Sequence, residues 1–436
     1  MKRKLLVFFI GLLVLMLVLP WLVPTQTILA QLEQAVTDKL GAPVKVMSLS
    51  LALLPTPRAH LKGIHIGGQD EITVEKATLV LDITTLLAET RIISRIELDK
   101  PVVKKSVLPL LEPLLGQKSQ GPAPFVVRQI NLHGAKLEWD STHVPEFDAA
   151  VLLGEANQLQ QVRLDSVDGK LHIEVLPKAE GYSARLQAEE WIMPAGPALL
   201  FKRLEADIEY AGQRITVPRM DAQLYRGQLQ ASGALDLSQG WNLDGKFATK
   251  DIELGDATQL FTKAVKVSGR ISGDGVFSAK AKDASALADA LALDFKFNVR
   301  NGVLYGMDLA KAATLLVKQG THGGETRFDE FSGVLKTRGK AMDLNHINVA
   351  SGLLGASGNV KVTPEKKLAG RVEVELKQSL AVVAVPLDIS GTLDQPSVLP
   401  TKAALVGAAV GTGVLGPAGT ALGVKAGSAL EKLFGK

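Results

Sequence analysis

An alternation of apolar and polar side chains, kept up from about residue 44 to residue 398, most constrains what this chain can fold into. The segment Arg371–Lys377, RVEVELK, shows it plainly. Because successive side chains of a β-strand point to opposite faces, each such segment is apolar on one side and polar on the other. Gly, Pro, Asn and Asp separate the segments, as turns do. The pattern predicts a mainly β protein with a long, twisted, curved antiparallel sheet and a few short helices.

Composition narrows the possible functions. Hydrophobic residues make up 46% of the 436 residues, which is enough for a sizeable core. The net charge is +4, no basic run follows the N-terminus and 5% of residues are aromatic, so nucleic-acid binding is disfavoured. Cysteine is absent, which excludes disulfides and thiolate ligands and fits an oxidising compartment.

The N-terminus predicts a transmembrane anchor. Three basic residues at positions 2–4 precede 19 uncharged residues, Leu5–Val23, and about 20 residues cross a bilayer. The basic residues predict a cytoplasmic N-terminus and an exported remainder. A cleaved signal peptide is the alternative, but Ile28-Leu29-Ala30 lacks the small-x-small cleavage pattern. The predicted anchor residues are Leu5, Phe8, Leu12, Leu15, Leu19 and Trp21.

Helix signals interrupt the alternation at a few places. An apolar face and a terminal glycine predict a helix from Thr27 to Leu40. Further helices are expected at about Asp256–Ala264, Asp283–Leu293 and Asp308–Gln319, because each begins with an Asp that can cap the first turn. The predicted divisions are an anchor (1–24), an N-terminal helix plus sheet (25–115), a linker (116–124), an elongated β-groove (125–400) and a Gly/Ala-rich tail (401–436).

The tail differs in kind from the rest of the chain. Between Lys402 and Lys425 lie 22 uncharged residues rich in Ala and Gly. Gly419, Gly423 and Gly427 are spaced four apart, a spacing that lets helices approach closely in lipid. The tail is therefore either a second membrane-contacting segment or a packed helical hairpin at the end of the sheet.

No motif indicates catalysis. Gly411–Gly416 matches a dinucleotide-binding pattern, but Pro417 follows it and no strand–helix–strand unit can be completed. Gly240–Lys246 has the spacing of a phosphate loop, but Phe247 stands where Ser or Thr would hold magnesium. The histidines lack metal-ligand spacing, and no Gly-x-Ser-x-Gly sequence occurs. We therefore expect no enzyme, with no catalytic residue, cofactor or metal site.

Ordered motifs toward both ends resemble the AsmA family of Gram-negative envelope proteins. At the N-terminal end they are Leu54-Pro55-Thr56-Pro57 and residues 77–103, ATLVLDITTLLAETRIISRIELDKPVV. The C-terminal resemblance covers roughly Phe295–Val398, and residues 125–290 are similar only in character. Its motifs are Asn301-Gly302-Val303, Thr326-Arg327-Phe328, Phe331-Ser332-Gly333, Gly358-Asn359-Val360 and residues 385–393, VPLDISGTL.

This resemblance implies an inner-membrane-anchored protein of the periplasm. Larger members of the family are similar to bridge-like lipid carriers with a folded-over sheet and an apolar groove. The expected partners are the inner membrane and membrane lipids, with phospholipid first and lipopolysaccharide second. The implied function is to bind or transfer lipid in outer-membrane biogenesis and homeostasis. The alternative is a periplasmic scaffold or assembly factor that binds outer-membrane or other envelope proteins without carrying lipid.

The sheet itself raises the same question on physical grounds. The few expected helices cannot cover its apolar face, which must meet another sheet, fold over on itself or hold an apolar ligand. A charge at Val374 is expected to expel lipid from a trough while the fold survives. The residues that alternation alone places on a groove lining are Ile271, Phe277, Phe295, Phe297, Val372, Val374, Leu376, Leu387 and Ile389.

Overall fold

The structure, a computed structural model, is mainly β. The chain divides into two compact units, Met1–Ala195 and Gly196–Lys436, described separately below. The domain boundaries drawn from the sequence stay predictions. The residues described are 25–69, 71–85, 88–104, 106, 125–139, 142–194, 198–255, 267–283, 286–314, 323–377, 384–415 and 417–434.

The first unit contains one α-helix, a 3₁₀ turn at Ile83–Thr85 and twelve strands among its described residues. The helix, α1, spans Thr25–Leu40. The strands are β1 (Val44–Ala52), β2 (Arg58–Ile66), β3 (Ile72–Leu81), β4 (Arg91–Asp99), β5 (Val102–Lys104), β6 (Phe125–Val127), β7 (Gln129–Trp139), β8 (Thr142–His143), β9 (Phe147–Leu153), β10 (Leu159–Ser166), β11 (Leu171–Pro177) and β12 (Tyr182–Ile192).

Pairing in the first unit is mixed, which corrects the expected antiparallel sheet. Strands β1 to β4 and β9 to β12 pair antiparallel with their neighbours in sequence. In contrast, β4 pairs parallel with β6 and β7, and β5 pairs parallel with β7. Parallel strands need a connection of about a dozen residues or more, and residues 105–124 provide it between β5 and β6.

Helix α1 covers the free edge of β1, and its predicted position is confirmed. The Glu33 carboxylate accepts a hydrogen bond from the Val46 N–H at 2.7 Å, and Thr37 Oγ1 accepts one from the Val44 N–H at 3.1 Å. Gly41, at φ +67°, ends the helix in the left-handed region. These two bonds make the start of β1 a poor template for another chain.

The second unit is an antiparallel meander in which each strand pairs with the next. Its described strands are β13 (Leu200–Ala211), β14 (Arg214–Leu224), β15 (Gly227–Asp236), β16 (Trp241–Glu253), β17 (Arg270–Ala281), β18 (Ala292–Tyr305), β19 (Glu325–Arg338), β20 (Ala341–Ala350), β21 (Leu354–Val362), β22 (Leu368–Leu376), β23 (Ala384–Gly391) and β24 (Pro396–Pro400). Its described helices are α2 (Leu287–Ala290), α3 (Leu309–Thr314), α4 (Lys402–Leu415) and α5 (Pro417–Phe434).

The predicted capping aspartate is confirmed at Asp308, but the helix expected to begin at Asp283 starts later and is shorter. The N–H of Lys311 donates to Asp308 Oδ1 at 2.8 Å, whereas Asp283 Oδ1 accepts at 3.1 Å from Ala286, which is itself the residue before α2. The expected helix Asp283–Leu293 is reduced to α2, because Leu291 is extended and β18 begins at Ala292. Pairing with two neighbouring strands there outweighs a single helical turn.

Two expected helical segments lie outside the described residues: the anchor, with its six named residues, and the helix at Asp256–Ala264. The same holds for the linker 116–124 and for residues 315–319 of the helix expected at Asp308–Gln319. Of the helices in the described part of the chain, none combines the length and apolarity needed to cross a bilayer.

Candidate functional site

The second unit encloses an apolar cavity of about 210 Å³ on one face of its sheet. Every strand from β18 to β23 contributes to the lining, so the apolar face curves around the cavity. Eighteen of the nineteen lining residues are apolar, and the other is Thr326. Met342, 37% exposed, is the most accessible of them and marks the mouth. In the order β18 to β23, these strands contribute Leu304, Phe328, Leu344, Val360, Val372 and Ile389 to the lining, among others.

The one polar side chain in the lining is already satisfied. Thr326 Oγ1 donates to the Met307 carbonyl at 2.8 Å and accepts from the Leu309 N–H at 3.0 Å. These two bonds fix the start of α3, whose residues Leu309, Ala312 and Ala313 are buried in the same core. The cavity therefore offers no free hydrogen-bonding group and can select only an apolar ligand.

Left-handed residues decide which side chains reach this core. Asp251, Asn301 and His346 have φ of +53°, +51° and +52° within β16, β18 and β20. In β20 the register shifts between Leu344 and Ile347, so both point into the core although their numbers differ in parity. The freed N–H groups of His346 and Asp251 are bonded by Asn359 Oδ1 and Ser272 Oγ, each at 2.9 Å. These are β-bulges that bend the sheet.

A row of phenylalanine rings runs across the apolar face from β16 to β19. The order of rings is Phe277, Phe247, Phe295, Phe297, Phe331 and Phe328. The ring centroids along it are 6.4, 5.1, 6.0, 5.3 and 5.6 Å apart, within the range of favourable aromatic pairs. The row leads from partly exposed rings at Phe277 and Phe247 to the cavity at Phe331 and Phe328.

Glycines lie opposite these rings on the neighbouring strands. Phe277 pairs with Gly245, Phe247 and Phe295 pair with Gly275, and Phe297 pairs with Gly273 and Gly333. A Cβ on Gly275 would lie 2.8 Å from Phe247 Cε1, and one on Gly273 would lie 2.9 Å from Phe295 Cε2. The sequence predicted close approach, bends or bulges at such glycines. The close approach is confirmed, whereas the bulges of this face lie at residues with side chains.

The apolar face has two sections. The closed section comprises β18–β23 with α3, and its inward residues are largely buried in one core. The open section comprises β14–β17, where inward residues such as Val217, Leu243 and Phe277 keep part of their surface exposed. The Phe row joins the two sections. We call the apolar face of the two sections together the trough; the cavity lies in its closed section.

The residues assigned to a groove by alternation all point to this apolar face. Val372 and Ile389 line the cavity. Phe295, Phe297, Val374 and Leu387 are buried in the core around it, while Ile271 and Leu376 pack against that core with partial exposure. Phe277 lies at the open end of the Phe row. Sequence analysis missed Phe331, Met342 and Leu344, although alternation in β19 and β20 offered them as candidates.

The opposite face of the same strands is charged. Lys336 and Asp294, directly opposite each other on β19 and β18, form an ion pair at 3.0 Å. Hydrogen bonds from Gln230 and Arg219 hold the pKa of Asp221 below its usual range. Two hollows of about 600 and 730 Å³ have a mixed lining of apolar and polar side chains, with Lys246 and Asp294 in each. Although larger than the cavity, they would place charged groups against an apolar ligand.

Metal binding has no geometric support in the part of the chain that the structure describes. No three His, Asp or Glu side chains there come together in a way that could hold an ion.

Fold and site define a β-rich protein whose sheet carries an apolar trough on one face and charges on the other. The model of the AsmA family matches residues 195–346, which confirms the resemblance over these residues. The match takes in β13–β19, including strands that had resembled the family only in character, and it ends before the motifs from Gly358 onward. Comparisons with curated proteins and with solved structures found no match.

Proposed function

We propose that this protein binds phospholipid by its acyl chains in the trough of the second unit and passes lipid between envelope membranes, without catalysis. In this proposal it is anchored in the inner membrane of a Gram-negative cell, lies in the periplasm and serves outer-membrane biogenesis and homeostasis. The observation that carries it is the cavity of about 210 Å³, apolar in all its lining except one satisfied threonine, at the end of the Phe row that leads from the open section. The AsmA match supports it over β13–β19, which include the open section and the first two strands of the cavity.

The energetics of lipid transfer explain why such a surface suffices. Exposing an acyl chain to water costs roughly 0.8 kcal/mol per CH₂ group, so a long chain costs more than about 10 kcal/mol. The Phe row and the cavity offer an apolar surface in place of water and require no reacting group. Because the cavity is smaller than pockets of about 300 Å³ that enclose whole small ligands, we expect it to hold the end of one acyl chain. The rest of the chain would lie along the open section.

Photo-crosslinking in cells tests lipid binding in the full chain. We would place benzoyl-phenylalanine at Met342, at the cavity mouth, and in a matched control at Val276, which is 56% exposed on the charged side of β17. After illumination, mass spectrometry of the purified protein should find a phospholipid adduct at position 342 and none at position 276. Equal labelling at both positions, or labelling by protein alone at position 342, would overturn the proposal.

A scaffold for envelope proteins is the second candidate, and one observation favours it. Phe295, Phe297, Val374 and Leu387 are packed into a core instead of standing free along a channel. A scaffold of this kind needs free sheet edges, however. In the first unit, α1 bonds the N–H groups of Val44 and Val46 of β1. In the second unit, the last strand, β24, is five residues long with a proline at each end.

A further inference from the structure

Helices α4 and α5 form a hairpin in which the two backbones touch at glycines. A Cβ on Gly407 would collide with the carbonyl oxygen of Gly423, and one on Gly427 would collide with that of Ala403. Ala404, Ala408 and Val424 are buried beside these contacts. Small residues allow such close packing, which is a common way of joining helices in lipid.

The base of the hairpin is fixed to the charged face of β22. Lys432 Nζ lies 2.7 Å from Glu373 Oε1, and Arg371 Nη2 lies 3.1 Å from Glu431 Oε1. The Ala404 N–H donates to Thr401 Oγ1 at 3.2 Å, which caps α4. The end of α5 and the start of α4 are thus held against the sheet, and the connection between the helices is the tip.

Large apolar side chains on the hairpin are exposed. Val406, Val410 and Val414 recur every four residues on one face of α4, with exposures of 64%, 61% and 73%. Leu422 on α5 is 60% exposed. Four such side chains on one helical hairpin form an apolar surface of the kind that marks an interaction site.

Charge is confined to the base of the hairpin. No residue between Lys402 and Lys425 is charged. Lys425 lies between Gly423 and Gly427, which contact Gly407 and Ala403, so it is level with the first turns of α4. The exposed Lys402 and Lys425 and the ion-paired Lys432 therefore surround the base, and the sole acidic residue, Glu431, is paired with Arg371.

We propose that the tip of this hairpin inserts into one leaflet of a phospholipid bilayer. We count as the tip the part of the hairpin between the level of Lys425 and the connection of the two helices. It has about ten residues on α4 and eight on α5, or about 12–15 Å of helix at 1.5 Å per residue. Half of a hydrocarbon layer of about 30 Å is about 15 Å, so the tip matches one leaflet and is too short to span both. The lysines then lie at the level of anionic headgroups.

The polar side chains of the tip fit this environment because they bond within the hairpin. Thr412 Oγ1 donates to the Ala408 carbonyl at 2.7 Å and lies 2.5 Å from Thr420 Oγ1. Groups buried in hydrocarbon need such internal partners. A protein partner is a poorer fit, because protein interfaces draw their affinity from aromatic residues and arginine, and residues 403–424 contain neither.

This inference is independent of lipid binding in the trough, and the absence of cysteine allows a direct test on the full chain. A single cysteine, from Val410→Cys or from the control Val276→Cys, would carry an environment-sensitive fluorophore. Each protein is reconstituted in vesicles of zwitterionic and anionic phospholipid. Nitroxide groups on the acyl chains of either the host vesicles or vesicles added afterwards serve as quenchers.

If the tip inserts, the fluorophore at position 410 should be quenched several-fold more than the one at position 276. This should hold with nitroxides in the host vesicles, in the vesicles added afterwards, or in both. A further Val414→Asp change should abolish the difference, whereas Val276→Asp in the Val410→Cys protein should not. Equal quenching at both positions would overturn the proposal. So would energy transfer between labelled copies without quenching, because the occupant would then be a second copy of this chain.

Discussion

The closed and open sections of the second unit carry the same alternation and yet differ in how much of their apolar face they bury. In β22 of the closed section, Val372 and Val374 are 3% and 0% exposed. In the open section, the inward residues Val217 of β14 and Leu243 of β16 keep part of their surface exposed, and burial is confined to the strand ends, as at Leu224 and Ile252. Both sections belong to one antiparallel meander, so strand pairing does not explain the difference.

One short helix explains it better than curvature does, because bulges occur in both sections. The bulges at Asn301 and His346 lie in the closed section and that at Asp251 in the open section, whereas α3 packs against β19 and β22–β24 of the closed section. The sheet therefore closes on its own apolar face and leaves a cavity at the centre. The closed section provides stability and an apolar end point, and the open section provides access.

A buried charge should separate the two sections most strongly. Val374→Glu places a carboxylate at a fully buried position, and we expect it to lower the free energy of unfolding by about 4 kcal/mol or more. Alternation alone predicted that this variant keeps its fold and loses lipid. Because Val374 is fully buried, we now expect loss of stability instead. Val217→Glu, where the carboxylate can reach water, should cost less than about 1.5 kcal/mol. Urea unfolding measures both, and equal costs would show that the sections are packed alike.

Truncating rings at the two ends of the Phe row is the next test. Phe295 is 7% exposed in the closed section, so Phe295→Ala should cost about 3–5 kcal/mol. Phe277 is partly exposed and touches one ring of the row, so Phe277→Ala should cost about half as much. The difference between the two unfolding midpoints measures how far the core extends along the row. A larger loss at Phe277 would place the core in the open section instead.

A smaller effect is expected where the sections meet. A Cβ at Gly275 would lie 2.6 Å from the Asp294 carbonyl and 2.8 Å from Phe247 Cε1, so Gly275→Ala should cost about 1–3 kcal/mol by displacing strand and ring. Gly352→Ala is the control, because no atom lies within 4 Å of its Cβ position. Thermal unfolding followed by circular dichroism compares them. If Gly275→Ala left the melting temperature unchanged, the rings would not be held against the glycines.

The sequence determined the features that depend on neighbours along the chain. The alternation in Arg371–Lys377 reappears as β22, with Val372 and Val374 inward and Arg371 outward. Helix α1 and the cap at Asp308 were equally readable, because a capping side chain bonds within its own turn. Each groove candidate also lies on the apolar face that alternation gave it, since the pleat of a strand is a local property; that these residues line a lipid groove stays a prediction.

Tertiary structure alone decided how far each apolar face is buried and where the alternation slips. Nothing in β20 marks His346 as the residue that turns left-handed, because its freed N–H is satisfied by Asn359 from the next strand. The parallel pairing of β4 with β7 likewise depends on how the chain returns after β5. Alternation could not separate Val372 in the cavity from Val374 in the core, although both point inward from one strand. Local spacing fixes the face of a side chain, and what covers that face is set by strands and helices distant in sequence.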